Sequence, residues 1–299
     1  MIMMREIACP ICGESNQVQI FAATLPREFD EASPPPPYSA HYQINRCTGC
    51  GLIYSSPIMD ENSVAMLYRN SSETNVVPGE EDNVLRTMTG YYRLAAPHLP
   101  GRRRMLDVGC DMGFLLEAAA RDGFAELHGV EPNPVARAVA ERIPGAQISY
   151  CFYESTNYPP DHFDLITLIH VLDHLVDPRI TLAQARCNLR PGGIIVAIVH
   201  NVRSLLGRVM GERFPVFNLY HHFFFDKSSL AELFRRQGFE VIDVVSTYNC
   251  YSLGFFARRF PACPAVIRAG LCRGLDMLGL AHLPLSVPVG NIGIVARRP

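Results

Sequence analysis

Beyond about residue 100, short runs of apolar residues alternate with longer segments in which apolar residues recur at helical spacing. The apolar runs predict strands at residues 105–108, 127–130, 147–152, 163–169, 194–199, 239–246 and 290–296. The intervening segments predict helices that end near residue 123 or span residues 134–142, 178–189 and 228–237. This alternation is typical of a parallel sheet with right-handed crossovers, so we predict an α/β fold here.

The first strand ends in a tight turn, MLDVGCDMGF, at residues 105–114. Gly109 and Gly113 allow the backbone to approach a ligand closely, and the helix that follows adds the positive end of its dipole. Glu131 directly follows the second strand, where an acid can accept hydrogen bonds from both ribose hydroxyls. The alternatives are a glycine turn that serves only packing and a surface glutamate without a partner.

The charges in this turn discriminate between classes of cofactor. The turn carries Asp107 and Asp111 and lacks the G-x-G-x-x-G pattern of dinucleotide-binding folds. Both carboxylates would repel a pyrophosphate. A cofactor with a sulfonium and an ammonium group would not be repelled, so the sequence favours a cationic nucleoside cofactor.

Four blocks of sequence together resemble the class I S-adenosylmethionine-dependent methyltransferases: LDVGCDMGF, GVEPNP, FDLITLIHVLDHLVDP and LRPGGIIVAIVHN. The resemblance runs from about residue 85 to the C-terminus. It implies a Rossmann-like seven-stranded methyltransferase sheet whose last strand is antiparallel and lies between the fifth and the sixth. It also implies that the cofactor is held by Asp107, Gly109, Cys110, Gly113, Glu131, Pro132 and His170. Asp111 stands where the family more often has a small residue, and aspartate tolerates left-handed backbone better than most residues.

Two C-x-x-C pairs lie near the N-terminus, Cys9 with Cys12 and Cys47 with Cys50. Two such pairs supply the four thiolates of a closed, tetrahedral, structural zinc site. Strands at residues 18–21 and 41–45 would complete a small zinc-ribbon module. Redox pairs are the alternative, but the sequence around them lacks the strand–helix pattern of thioredoxin-like proteins.

Length and composition set the domain organisation and the compartment. The 299 residues are enough for a zinc-binding module at 1–56, a helical linker or lid at 57–100 and a methyltransferase domain at 101–299. Insertions are predicted at about 202–220 and 251–288. No apolar run is long enough for a transmembrane segment, and the N-terminus does not resemble a signal peptide, so we expect a cytoplasmic protein. In that compartment, ten cysteines do not predict a disulfide framework.

Several histidines are candidates for acid–base or metal chemistry. His200, His221 and His222 follow predicted strands or insertions and could act as a catalytic base, although histidines flanked by aromatic residues are often only packed. His170 and His174 would share a helix face and could bind a metal ion with Asp173, but no third ligand is evident. We favour cofactor contact for His170 and a structural hydrogen bond for His174.

These features predict methyl transfer from S-adenosylmethionine to an oxygen or carbon of a small-molecule acceptor. A four-cysteine module joined to such a core is also, more loosely, similar to methyltransferases of sugar-nucleotide and natural-product pathways. That resemblance suggests a sugar-nucleotide, glycan or natural-product precursor as the acceptor. An RNA methyltransferase is a second reading, disfavoured by the net charge of −2. A non-catalytic adaptor is a third, since Asp111 could weaken cofactor binding. Residues 266–280 could form a homodimer face, a membrane-surface helix, a lid or a packed helix pair.

Overall fold

A computed structural model describes residues 4–25, 40–60, 63–64, 78–133, 142–259 and 265–299. The helix predicted at 134–142 lies almost wholly outside these ranges. The described strands are β1 (Met4–Arg5), β2 (Gln17–Phe21), β3 (Ile44–Cys47), β4 (Ile53–Ser55), β5 (Ile58–Met59), β6 (Arg104–Val108), β7 (Glu126–Val130), β8 (Gln147–Ser149), β9 (Phe163–Ile169), β10 (Leu189–His200), β11 (Phe223–Phe224), β12 (Glu240–Ser252) and β13 (Pro284–Arg297). The described helices are α1 (Glu81–Ala95), α2 (Phe114–Arg121), α3 (Pro178–Asn188), α4 (Leu205–Met210), α5 (Lys227–Arg236), α6 (Leu253–Arg259) and α7 (Ala265–Met277).

Seven strands form the central sheet in the order β12-β13-β10-β9-β6-β7-β8. β13 runs antiparallel to both of its neighbours, whereas the other pairs are parallel. Residues 194–199 of β10 are fully buried, as expected for a strand in the middle of a sheet covered on both faces. The predicted α/β methyltransferase fold, with its antiparallel last strand, is confirmed.

Side-chain caps set the starts of two helices that the sequence predicts. The Asp177 carboxylate accepts a hydrogen bond from the Arg179 amide, and Pro178 occupies the first helical position of α3. Asp226 and Ser229 form a reciprocal capping box at the start of α5. Both helices therefore begin within one residue of the predicted position.

The last two strands are longer than predicted. The ladder between β12 and β13 continues from Asn249↔Val287 to Ser252↔Pro284, beyond the predicted ends at residues 246 and 290. Many side chains in this extension are half-exposed or exposed, so the hydrophobic pattern that marks a buried strand is absent there. Conversely, β8 ends at Ser149 rather than at residue 152, because its partner strand β7 ends at Val130, opposite Ser149. Within the predicted 251–288 insertion, α6 and α7 lie between the two strands.

The N-terminal module is joined to the larger domain through a shared sheet. Its strands β2, β3 and β4 are antiparallel, and β11 adds to the free edge of β4 through Phe223↔Tyr54 and Phe224↔Ile53. The Ser55 amide also donates a 2.8 Å hydrogen bond to the carbonyl of His222. The module therefore fixes the position of the segment that carries His221 and His222.

Helix α1 belongs to the core of the larger domain. The Tyr91 hydroxyl donates to Asn249 Oδ1 at 2.6 Å, and the Tyr92 hydroxyl donates to Asp122 Oδ2 at 2.5 Å. Both rings are buried, so they pack the core as ordinary amphipathic tyrosines do. Among the described residues, no helix has the length and apolar character needed to cross a bilayer.

Candidate active site

The glycine turn after β6 is held against the end of β7. The Gly109 amide donates to the Val130 carbonyl at 2.8 Å, and the Gly113 amide closes the turn on Cys110 at 2.8 Å. Gly109 and Gly113 have φ angles of 74° and 77°, in the left-handed region that favours glycine. Asp111 has a φ of 44°, so the residue that departs from the family pattern adopts the conformation the turn requires.

Two acids face this turn from neighbouring strands. Asp107 is only 3% exposed, and its Oδ1 accepts a hydrogen bond of 2.6 Å from the Thr167 hydroxyl. The Glu131 carboxylate accepts from the amides of Asp111, at 3.3 Å, and Asn133, at 2.9 Å. Thr167 was not predicted from the sequence, since its role depends on the pairing of Asp107 with Thr167 between β6 and β9.

Burial and the proximity of other acids oppose ionisation of both carboxyl groups. Burial, together with the nearby charges of Glu131 and Asp111, raises the pKa of Asp107 to about 7, although the Thr167 hydrogen bond opposes the shift. Burial also raises the pKa of Glu131. A bound cation would relieve this repulsion. The donor set therefore fits the sulfonium and ammonium groups of S-adenosylmethionine and does not fit a pyrophosphate.

The structure brings most of the predicted cofactor residues to one place. Around the ends of β6 and β7 lie Asp107, Gly109, Cys110, Gly113, Glu131 and Pro132. His170 lies just beyond the end of β9, and the next residue, Val171, reaches the turn. A β-carbon built on Gly109 would lie 2.7 Å from Val171 Cγ2. The cofactor role of these residues stays a prediction, and the close approach shows that the turn and the segment after β9 adjoin.

Four histidines surround Asp173 at the ends of β9 and β10. The His200 imidazole donates through Nδ1 to Asp173 Oδ2 at 2.8 Å, since a carboxylate only accepts. Ring centroids are 4.7 Å apart for His170 and His200, 4.9 Å for His200 and His221, and 4.4 Å for His174 and His221. We call these five residues the histidine cluster.

The cluster combines a negative carboxylate with neutral rings. Burial of Asp173 opposes ionisation, but the hydrogen bond from His200 and the neighbouring histidines lower its pKa below the usual range. Burial and the proximity of His200 lower the pKa of His170 to about 3. Burial likewise lowers the pKa of His174 and of His221. At neutral pH these three rings therefore carry lone pairs and no charge.

His222 points away from the cluster, although the sequence suggests it as a catalytic base. Its Nδ1 lies 2.9 Å from the Leu175 carbonyl, and its ring packs 5.7 Å from that of Tyr42. Burial lowers its pKa to about 4. This geometry favours the packed alternative for His222, whereas His200 and His221 lie in the cluster.

The four N-terminal cysteines converge. One sulfur from each lies within 4.8 Å of the others, with 3.4 Å between Cys9 and Cys50 and 3.3 Å between Cys12 and Cys47. Each pair lies on a turn closed by a backbone hydrogen bond, from Gly13 to Cys9 and from Gly51 to Cys47. Four thiolates so arranged fit the tetrahedral coordination that zinc adopts in closed structural sites.

Comparison with known proteins places these features in a family context. A family model described as a methyltransferase domain matches residues 82–244, more than half of the chain. The Ubiquinone biosynthesis O-methyltransferase of Aromatoleum aromaticum is 30% identical over 170 residues, which are 51% of this chain and 72% of the relative. The protein of the same name from a Shewanella species is 32% identical over 146 residues, 44% of this chain and 61% of the relative.

A solved structure shows a similar fold. One chain of the complex between the Haloferax volcanii Trm112 methyltransferase activator and a methyltransferase aligns with a TM-score of 0.53 and 16% identity. The alignment covers 74% of this chain and 95% of that chain. At this identity, the likeness supports the fold alone.

Proposed function

The chain belongs to the methyltransferase-domain family and is an S-adenosylmethionine-dependent methyltransferase, and on that premise we propose that it methylates a hydroxyl oxygen of a small-molecule acceptor. The observation that carries this proposal is the hydrogen bond between His200 and Asp173 beside the cofactor turn. Methyl transfer to a hydroxyl requires a group that removes its proton as the oxygen attacks. A buried carboxylate that orients an imidazole is suited to that task.

His200 is the proposed base. Because its Nδ1–H is directed to Asp173, its Nε2 carries the lone pair that can accept a proton. The His200 side chain is 28% exposed, so an acceptor can reach it, whereas the Asp173 side chain is 2% exposed. Asp173 fixes the tautomer and orientation of the ring and would stabilise the imidazolium formed when the proton is taken.

Oxygen rather than carbon is favoured by the relatives that carry the name O-methyltransferase. A small acceptor is favoured by the net charge of −2, since proteins that bind RNA concentrate positive charge on the binding face. A hydroxyl on an aromatic ring or on a sugar precursor meets both conditions. Because the chain belongs to a family of enzymes, we no longer favour the hypothesis of a non-catalytic adaptor.

S-adenosylmethionine, when bound, supplies a methyl group on a positively charged sulfur. Asp107 offers a buried carboxylate to the positive part of the cofactor, and Glu131 offers two oxygens to its ribose. The chain thus aligns donor and acceptor, the larger part of catalysis for a displacement at carbon. His200 then holds the proton of the acceptor hydroxyl at Nε2.

We also propose that Cys9, Cys12, Cys47 and Cys50 hold a structural zinc ion. The four sulfur atoms converge, and a tetrahedral site with four thiolates has no open coordination position for a substrate. Both features support a structural rather than a catalytic role. The ion would secure the module, whose strand β4 pairs with β11 directly after the histidine segment.

An acceptor screen tests the proposal. The protein is incubated with methyl-labelled S-adenosylmethionine and panels of catechols, sugar nucleotides and structured RNA, and each product is analysed by mass spectrometry and NMR. Label on a hydroxyl oxygen of a small molecule is the expected result. Label on RNA, on nitrogen or on carbon would refute the proposed acceptor class.

A further inference from the structure

The histidine cluster has an unsatisfied carboxylate oxygen at its centre. Asp173 uses Oδ2 to accept the hydrogen bond from His200, but its Oδ1 is buried and has no hydrogen-bond partner among the described residues. The Asp173 side chain is 2% exposed, so water does not readily satisfy this oxygen. A buried, ionised oxygen without a donor is costly, and each such atom calls for a ligand.

The atoms around this oxygen have the spacing of metal ligands. His174 Nε2 lies 3.9 Å from Asp173 Oδ1, too far for a hydrogen bond. One ligand atom from each of Asp173, His174 and His221 lies within 4.8 Å of the other two. A transition-metal ion holds nitrogen and oxygen ligands at about 2.0–2.2 Å, which places pairs of ligand atoms roughly 3–4 Å apart.

The His221 ring is already oriented for coordination. Its Nδ1 lies 2.7 Å from the Val216 carbonyl, which only accepts, and 3.1 Å from the Asn218 amide nitrogen. Because the contact with the carbonyl is the shorter, we assign the hydrogen to Nδ1 and the lone pair to Nε2. Histidines that bind metals commonly donate their other N–H to a carbonyl in this way. His200 plays the corresponding part for the carboxylate, since its hydrogen bond holds Oδ2 and leaves Oδ1 directed elsewhere.

A second triad, His170, Asp173 and His200, meets the same distance criterion. Its carboxylate and imidazole are joined by the 2.8 Å hydrogen bond, which already satisfies both atoms. The triad with the unsatisfied oxygen is therefore the better ligand set, and it leaves His200 available as the base.

We propose that Asp173, His174 and His221 bind a divalent transition-metal ion, distinct from the ion of the four cysteines. Two imidazoles and one carboxylate suit Zn²⁺ or Fe²⁺. Three protein ligands leave coordination positions open, so the site can take an exogenous oxygen. Because the His221 ring is 4.9 Å from that of His200, such an oxygen would lie near the proposed base. If the proposed function is right, that oxygen belongs to the acceptor, and the ion lowers the pKa of its hydroxyl.

Metal counting on the full-length protein, without cofactor or acceptor, tests the site independently of methyl transfer. The protein is stripped with a chelator, reloaded with Zn²⁺, desalted and analysed by elemental mass spectrometry. We expect two ions per chain for the wild type and one for His174→Ala, whose partly exposed side chain makes the variant tolerable to the fold. His162→Ala, which removes a histidine outside the cluster, should retain both ions.

Co²⁺ as a spectroscopic probe assigns each ion to its ligands. The wild type should show thiolate charge-transfer absorption from one ion and the spectrum of a second ion that lacks such absorption. His174→Ala should lose only the second spectrum, and the charge-transfer absorption that it retains reports that the module is folded. A wild type that binds a single ion, or a His174→Ala protein that still holds two ions, would overturn the inference. Neither result bears on the acceptor screen, so failure of this site and failure of the proposed function are distinguishable.

Discussion

His200 and Asp173 meet across two neighbouring parallel strands, with 2.8 Å between Nδ1 and Oδ2. They are 27 residues apart in sequence; His200 is the last residue of β10, and Asp173 follows the end of β9, which pairs directly with β10. The carboxyl ends of adjacent parallel strands share one edge of the sheet, so their trailing residues converge there. This convergence joins two residues that the sequence suggested for separate roles into a candidate acid–base pair.

Replacing Glu131 should weaken cofactor binding. Its carboxylate is placed to accept hydrogen bonds from the ribose, and a hydrogen bond to a charged group contributes about 1.5–3 kcal/mol. We therefore expect Glu131→Ala to bind S-adenosylmethionine and S-adenosylhomocysteine roughly 10- to 150-fold more weakly in calorimetry. Glu126→Ala, which removes a carboxylate paired with Arg104 at the other end of β7, is the control. Equal affinities for the two variants would contradict the assignment of the ribose site.

The free energy of unfolding should depend on pH, because the pKa of Asp107 is raised in the folded protein. Because the pKa rises from about 4 in the unfolded chain to about 7 in the cofactor-free protein, the folded state binds more protons between these values. The contribution of Asp107 to stability is thus present below pH 4 and is lost as the pH rises to 7. The full effect is at most about 4 kcal/mol.

Urea unfolding of wild type and Asp107→Asn at pH 5, 6, 7 and 8 measures this effect. The asparagine oxygen can still accept from Thr167, so the variant should fold. We expect the free energy of unfolding of Asp107→Asn to increase relative to that of the wild type as the pH rises to about 7. Above pH 7 the difference between the two proteins should stay constant. A difference independent of pH would show that Asp107 ionises normally in the folded protein.

Adding a methyl group at Gly129 should destabilise the cofactor edge of the sheet. A β-carbon there would lie 2.7 Å from Cys110 Sγ and 2.8 Å from Ile148 Cδ1. Overpacking of this kind costs about 1–3 kcal/mol. Gly90→Ala in α1, where no atom lies within 4 Å of the added carbon, should instead stabilise by up to about 1 kcal/mol. Thermal or urea unfolding compares the two, and a neutral Gly129→Ala would contradict the tight packing beneath the turn.

Loss of one zinc thiolate should destabilise the N-terminal module and the sheet it shares with β11. Structural zinc contributes several kcal/mol of folding free energy, so we expect Cys47→Ser to lower the melting temperature by about 5 °C or more. Cys187→Ser, at an exposed free cysteine, is the matched control. If both variants melt like the wild type, the four cysteines do not hold a stabilising metal ion.

The sequence was sufficient to predict the elements of the central sheet, because buried parallel strands leave continuous apolar runs that end in glycine turns. Caps such as Asp177 and Asp226 are local, and for that reason the starts of α3 and α5 could be predicted within one residue. The outer part of the β12–β13 ladder could not, since many of its side chains are exposed or half-exposed and no apolar run marks it.

Long-range pairings account for what was missed in the site. The sequence pointed to His170 and His174 as a possible metal pair with Asp173 and offered no further ligand. His221, which completes the proposed site with Asp173 and His174, lies 48 residues beyond Asp173 and is brought there by the β11–β4 pairing to the N-terminal module. The Thr167 contact to Asp107 likewise depends on strand register, which no local pattern specifies.

Methyl transfer by His200→Ala and Asp173→Asn bears directly on the proposed acid–base pair. With an acceptor from the screen, single-turnover rates are measured for the wild type and both variants, alongside their affinity for S-adenosylmethionine. A general base contributes roughly 10²- to 10⁴-fold, so His200→Ala should slow transfer by that factor while cofactor affinity is unchanged. Asp173→Asn should also slow transfer, because the amide no longer enforces the reactive tautomer. A His200→Ala enzyme that methylates the hydroxyl at the wild-type rate would contradict the role of this pair.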